Sequence, residues 1–319
     1  MILNQNLVRR NSVLQDVTER IGSSVRVLHV EHNRLLQYTY IIESPSALRI
    51  LLEPWAVGSR LANLARSSTI DFLRVAYQLC PELARSTFET VVEIVPLAGS
   101  LYYSLAEAFE EVFGETINRC FIGARRHLTT TGWVTELSYE NFEAMPHDPV
   151  LLIGDTIATG STIERIVNSS IDHSSSIRAI VIYSIAGGLV GAVRIREMAQ
   201  RINIPTYLFY SNAIFGVEPN GTDMPWLHPG TIATIENQAK ARAVYGPDLG
   251  CRWCSIWDWG DRAKNPLKHL EELLERCKTE LKQTESRSTK RILTTICQRT
   301  ESSIASWKQP IKNVFSPTY

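Results

Sequence analysis

This chain lacks the features that would place it quickly. No apolar run approaches the roughly 20 residues that a membrane-spanning helix requires, so no membrane partner is expected. No sign of charge dominates: 33 Lys and Arg stand against 33 Asp and Glu. That balance removes any general attraction to nucleic acid or to an anionic membrane. Six cysteines in 319 residues are too scattered for a disulfide framework. Cys251 and Cys254 form a lone C-x-x-C pair. A zinc site would need two further ligands, from Cys277, His228 or His269, and a redox pair would need a thioredoxin-like βαβ start that is missing. Two ordinary loop cysteines, and no protein-held metal, are the expectation. The start, Met-Ile-Leu-Asn-Gln-Asn, lacks the charged and apolar regions of a secretory signal, so a soluble cytoplasmic protein is expected. Internal repeats and low-complexity tracts are absent too.

What is present is concentrated between residues 150 and 162, Val-Leu-Leu-Ile-Gly-Asp-Thr-Ile-Ala-Thr-Gly-Ser-Thr. Val150 to Ile153 read as a strand buried on both faces. The turn after it carries one acid, Asp155, and ends in Thr159, Gly160, Ser161 and Thr162, where an amphipathic segment begins. A strand feeding a small-residue turn at a helix start presents free backbone N–H groups and a positive dipole end, which suits a phosphate dianion. Gly160 permits close backbone approach, and three hydroxyls add donors. Other phosphate loops fit poorly. A P-loop needs four residues between its glycines and then Lys, whereas five separate Gly154 from Gly160 and no Lys follows. The spaced glycines of a dinucleotide fingerprint are also absent.

Five β-rich runs appear in order: Thr90–Leu97, Arg119–Gly123, Val150–Ile153, Ile177–Ile185 and Thr206–Ser211. Helical patterns lie between most of them. This alternation predicts an α/β fold with a parallel sheet of about five strands flanked by helices. Such sheets bind ligands beyond the carboxyl ends of their strands, where Asp155 and Thr159 to Thr162 fall. The N-terminal region reads as mostly helical around Ser12–Ile21 and Thr69–Leu83, with a hairpin between Val25 and Leu51. Leu267, Leu270, Leu274, Cys277 and Leu281 recur at helical spacing, as do Ile292, Ile296 and Ile304, so 266–319 is expected to be a helical extension of a domain spanning 1–265.

The string Val150–Thr162 resembles the phosphoribosyl-pyrophosphate (PRPP) motif of the type I phosphoribosyltransferases: four apolar residues, two acids, two apolar residues, Ala or Thr, then Thr-Gly-x-Thr/Ser. One position departs, because the first acid is Gly154 here. The resemblance implies that Ala158, Thr159, Gly160, Ser161 and Thr162 hold the 5′-phosphate and that Asp155 meets the ribose hydroxyls. Further matches point to the uracil branch of that family. Ala98 and Gly99 match its pyrophosphate loop, with Leu97 in place of an arginine, which removes a strong bidentate phosphate partner. Phe121 to His127 resembles the strand end where Arg126 sits at a family arginine, and Arg125 adjoins it. Leu128 to Trp133 would then be the loop that closes over PRPP to exclude water. Ser184 to Leu189 agrees only in character with the family's Ala-Pro-Glu-Gly turn. Asp258, Gly260, Asp261 and Arg262 match an Asp-x-Gly-Asp-Arg ending, displaced by roughly ten inserted residues that contain the C-x-x-C. The likeness spans about residues 60 to 263.

The resemblance implies transfer of ribose 5-phosphate from PRPP to a pyrimidine-like or other heterocyclic acceptor with release of pyrophosphate. Asp155, Arg126 and Asp261 would be catalytic, and Arg125 would cover pyrophosphate. Trp257, Asp258, Trp259 and Gly260 would orient the acceptor, through backbone groups and stacking. Mg²⁺ would come bound mainly to PRPP, and a homodimer is expected. The alternative is a non-catalytic nucleotide- or PRPP-sensing regulator with the same fold.

Overall fold

The computed structural model describes residues 3–130, 132–174, 176–254 and 259–309, with the side chains of Arg126, Leu128 and Trp133 outside the described set. In chain order come α1 (Gln5–Asn11), β1 (Val13–Asp16), α2 (Thr18–Ile21), β2 (Val27–Glu31), β3 (Thr39–Ile42), α3 (Pro45–Leu52), α4 (Gly58–Leu79) and α5 (Pro81–Ala84). The middle of the chain forms β4 (Val91–Leu97), α6 (Leu105–Phe113), β5 (Asn118–Thr129), β6 (Gly132–Asn141), β7 (Val150–Gly154) and α7 (Ser161–His173). β8 (Ala179–Ser184), β9 (Gly187–Gly188), α8 (Leu189–Ile202) and β10 (Thr206–Ser211) follow. The chain closes with β11 (Ala213–Phe215), β12 (Ile232–Ala233), α9 (Ile235–Arg252), α10 (Trp259–Lys264), α11 (Pro266–Gln283) and α12 (Arg287–Trp307).

This is a mixed α/β fold with a large central sheet flanked by helices, as the strand–helix alternation predicts. Nine strands pair in the order β1-β2-β3-β10-β8-β7-β4-β5-β6. The run from β3 through β10, β8, β7 and β4 to β5 is parallel. β1, β2 and β6 add antiparallel edges. A three-stranded sheet, β12-β11-β9, sits beside it.

The sheet is wider than five strands because the N-terminal region contributes three. Val13–Asp16 pairs with β2 instead of continuing a helix; four residues are too few for periodicity to decide between the two. The expected hairpin ends at Ile42. Ser44 caps α3, accepting from the Ala47 N–H, and Pro45 occupies the first turn, where its missing donor and fixed φ favour a helix start. Arg119–Gly123 extends into a long hairpin, β5–β6, whose tip contains most of the stretch expected to be a closing loop.

Residues of the central strands alternate between two apolar layers. Leu152, Val181, Tyr183 and Phe209 face α4 and α6, with Phe72, Leu105 and Phe109. Leu151, Ile153, Ile180 and Ile182 face α7 and α8, with Ile163, Ile166, Leu189 and Met198. Helices therefore cover both faces. The strand order also places the chain's reversal between β4 and β7: β5 lies to one side of β4, whereas β7, β8 and β10 follow on the other. The carboxyl ends of β4 and β7 flank the crevice where sheets of this kind take ligands.

Glu93 is fully buried in the middle of β4. Arg119 Nε lies 2.8 Å from its carboxylate, but that N–H is not aimed along the contact, and neither oxygen accepts a hydrogen bond among the described residues. Burial therefore outweighs the attraction of Arg119 and pushes the Glu93 pKa up from 4.5 to about 7. A carboxyl whose pKa is raised by folding stabilises most when protonated. Its contribution is complete below the unfolded value and is lost as pH climbs through the folded one. Glu93→Gln is accordingly expected to abolish a decline in stability of up to roughly 3 kcal/mol between pH 4.5 and pH 7, read by urea denaturation at a series of pH values. A parallel decline in wild type and variant would sink this expectation.

The end of α3 is held by the C-terminal part of the chain. A helix leaves its last carbonyls without partners. Here Arg262, fully buried, donates from Nη1 to Ile50 O at 2.9 Å, from Nη2 to Glu53 O at 2.7 Å and from Nε to Ala56 O at 2.9 Å. Tyr245 and Trp226 both donate to Leu51 O, and His269 Nε2 meets Pro54 O at 2.7 Å. The guanidinium also sits at the negative end of the α3 dipole. Leu273, Cys277, Leu293 and Ile296 of α11 and α12 join the same apolar layer as α4 and the sheet. Among the described residues no helix is long and apolar enough to cross a membrane.

Candidate sugar-phosphate site

The turn after β7 orients its peptide groups in two directions. Its carbonyls at Ile157 and Ala158 accept from the N–H groups of Gly188 and Gly191, at the start of α8. Ile157 N–H donates to Ala186 O at 3.2 Å, and Asp155 N–H donates to Tyr183 O at 3.0 Å. The chain then reverses at Gly160, with φ 77° and ψ 0°, which is the residue preceding α7. That left-handed geometry favours glycine. A Cβ at this position would lie 3.0 Å from Gly191 O and 3.1 Å from its Cα, so the close approach of α8 also requires a hydrogen there.

The first backbone hydrogen bond of α7 runs from Glu164 N–H to Gly160 O. The N–H groups of Thr159, Gly160, Ser161, Thr162 and Ile163 have no acceptor among the described residues. They border a shallow depression of about 20 Å³ lined by Asp155 through Ile163. This is a concave set of unused donors at the positive end of a 13-residue helix, a geometry that binds phosphate. All five residues expected at the phosphate, Ala158 to Thr162, belong to it.

The hydroxyls of the nest are positioned from a distant strand. Thr135 Oγ1 on β6 lies 3.1 Å from Ser161 Oγ and 3.4 Å from Thr162 Oγ1. Thr159 Oγ1 is 3.5 Å from Ser161 Oγ. Arg194 of α8 donates from Nη1 to Thr159 O at 3.5 Å, and its Nε lies 3.0 Å from Glu164. Thr135 and Arg194 were not legible as site residues. Each reaches the nest by sheet register or helix packing and carries no local motif.

Asp155 stands at the mouth, half-buried. Its Oδ1 accepts from the Thr156 N–H at 2.8 Å. Ala98 and Gly99 follow β4 on the other side of the crevice, after a cis peptide between Leu97 and Ala98. A Cβ on Gly99 would lie 3.7 Å from Asp155 Oδ1 and 3.8 Å from Trp259 Cδ1. The structure therefore brings the Ala98–Gly99 loop, Asp155 and Trp259 together. Ser100 Oγ, fully buried next to this loop, has no partner among the described residues.

Gly154, where the PRPP motif has its first acid, has a specific neighbour. A Cβ there would meet ring and Cβ atoms of Tyr103 at 3.1 to 3.3 Å. The ring occupies that space, and the Tyr103 hydroxyl accepts from the Ile185 N–H at 3.2 Å and lies 3.3 Å from Thr156 Oγ1. Burial, with the charge of Asp155 nearby, keeps this phenol well above its ordinary pKa and hence neutral. Trp259 packs edge-on against Tyr103 at 5.4 Å and donates from Nε1 to Gly99 O at 3.0 Å.

The remaining expected residues divide. Arg125 is exposed on β5, opposite Glu136. Arg126 pairs with Thr135 in the strand register, so its backbone stands opposite the threonine that touches the nest; its side chain lies outside the described residues. Trp257 and Asp258 also lie outside them. Gly260 is half-buried in α10. The Asp261 carboxylate is held by Lys268 Nζ at 2.8 Å and Asn265 Nδ2 at 3.3 Å, which keeps its pKa below the ordinary carboxylate value. Trp253 is buried beneath Arg276, 5.1 Å from its ring centroid. Cys254 is buried and Cys251 exposed. Among the described residues no group of three or more His, Cys, Asp or Glu side chains converges.

No family model matches the sequence, and no curated protein matches it. Solved structures similar to this chain include an adenine phosphoribosyltransferase at 10% identity and a TM-score of 0.28, covering 46% of this chain and 79% of that one. Another is the adenine phosphoribosyltransferase of Trypanosoma brucei in complex with AMP, pyrophosphate and ribose-5-phosphate, at 10% identity and a TM-score of 0.35, covering 64% of this chain and 96% of that one. Likeness of this order decides nothing about activity.

Proposed function

We propose that the chain is a phosphoribosyltransferase, moving ribose 5-phosphate from PRPP to a planar heterocyclic acceptor with release of pyrophosphate. The observation that carries this reading is the unpaired amide nest of Thr159 to Ile163, preceded by Asp155 and facing the Ala98–Gly99 loop across the strand-order reversal. The nest takes the 5′-phosphate. Asp155 accepts from a ribose hydroxyl and fixes the ring. The backbone at Ala98 and Gly99 faces the pyrophosphate, and Arg125 and Arg126 oppose its growing negative charge. Trp259 lines the acceptor side. Mg²⁺ would come bound to PRPP and would offset the charge of the leaving pyrophosphate. Positioning supplies most of the acceleration. The uracil-like Asp-x-Gly-Asp-Arg ending supports a pyrimidine-like acceptor, and the active unit is a homodimer.

A second reading is favoured by two contacts. Tyr103 fills the place of the missing acid, and Trp259 lies against Gly99. A protein that binds a nucleotide or PRPP as a signal, without turnover, would need no open pyrophosphate loop. Incubation with PRPP, Mg²⁺ and a panel of bases separates the two. Pyrophosphate release supports the enzyme, binding without release supports the sensor, and absence of binding overturns both.

Asp155→Asn is expected to weaken ribose 5-phosphate binding roughly tenfold, since a charged acceptor becomes a neutral amide. Titration calorimetry reads the change, and an unaltered affinity would remove Asp155 from the sugar.

A further inference from the structure

A groove between α9 and α12 shares no residue with the nest and has a volume of about 890 Å³. Trp55, Val244, Ile292 and Ile296 make an apolar floor, and Arg287, Arg291 and Arg299 line its rim. None of their guanidinium groups has a hydrogen-bond or ion-pair partner among the described residues; Arg291 is bonded through its carbonyl only, to Thr295 Oγ1. The single acid of α12, Glu301, is 3.7 Å from Lys278 of α11. Trp55 and Arg299 also border an adjoining cavity of about 640 Å³ with Ser302, Ser303 and Trp307, so the trough continues along the helix.

The two halves of this lining answer different chemistries. An apolar floor of that size matches the pockets that bury small organic molecules. Three unpaired guanidinium groups match a carboxylate or phosphate, which they can grip bidentately. A neutral hydrocarbon would leave the arginines without purpose, and a bare anion would leave the floor uncovered. We infer that this groove binds an amphiphilic organic anion: an alkyl or aryl chain on Trp55, Ile292 and Ile296, carrying a carboxylate or phosphate between Arg287 and Arg291. The site stands independently of the sugar-phosphate reading.

The test uses the full chain and monododecyl phosphate below its micelle concentration, followed by tryptophan fluorescence and calorimetry. One saturable site is expected, weakened by added salt. Arg291→Glu, on an exposed position of a solvent-facing rim, is expected to fold as wild type by circular dichroism and to lose affinity at least roughly tenfold. Inorganic phosphate and dodecyl maltoside are expected to bind far more weakly. Equal binding by dodecyl maltoside, or an unaffected Arg291→Glu variant, would overturn the assignment. So would adsorption to anionic vesicles or to single-stranded nucleic acid without binding of the monomeric amphiphile. Binding that arises only when residues 310–319 are removed would instead give the groove to the chain's own end.

Discussion

Arg262→Met is expected to cost the fold on the order of 4 kcal/mol or more, the largest single loss on this chain. The substitution conserves much of the side-chain volume but leaves the buried carbonyls of Ile50 and Ala56 without their donor, while Glu53 O keeps only the Ala56 N–H. Each orphaned carbonyl carries a desolvation penalty of roughly 1 to 3 kcal/mol. Burial lowers the pKa of Arg262 to about 10, still high enough that the cation persists at neutral pH. Arg262→Lys is expected to recover only part of the loss, since one ammonium cannot span three diverging acceptors. Urea denaturation with an unchanged slope measures both. A loss under 1 kcal/mol for the methionine variant would mean that water already serves these carbonyls.

Gly160→Ala is expected to abolish most phosphate affinity, by roughly 50- to 100-fold, while the protein remains folded. A left-handed residue with a Cβ costs about 1 to 2 kcal/mol. The added carbon also meets backbone at Gly191, which cannot swing aside as a side chain would. Relief comes by parting the nest from α8 or by unwinding φ, and either turns amides away from the anion. Titration of ribose 5-phosphate reads the effect. An affinity within twofold of wild type would show that these donors do not hold the phosphate.

The nest was legible because it is local. Its strand, turn and helix start are contiguous, and the physics of an unpaired helix terminus requires no knowledge of the rest of the chain. The five core runs were legible for the same reason, since buried parallel strands carry near-continuous apolar sequence. What escaped depends on register and packing. Thr135 reaches Ser161 because β6 folds back on β5, and no spacing rule links positions 26 apart in sequence. Tyr103 reads as an ordinary residue, although the unexpected glycine at 154 was a sign that something bulky claims that space. Val13–Asp16 reads as helix from sequence because four residues span too few repeats to separate strand alternation from a helical pattern. Arg262, met as the end of a family-like ending, turns out to cap a helix more than 200 positions earlier in the sequence.

Those caps tie the segment after residue 265 to the body of the fold. His269 and the apolar stripes of the last two helices complete the same interior that α3 and α4 begin. A fragment stopping at 265 would uncover Trp253, which lies under Arg276 and donates to Glu280, and would aggregate on expression. The intact protein, in turn, should melt in a single calorimetric step, with the arm and the sheet giving way together.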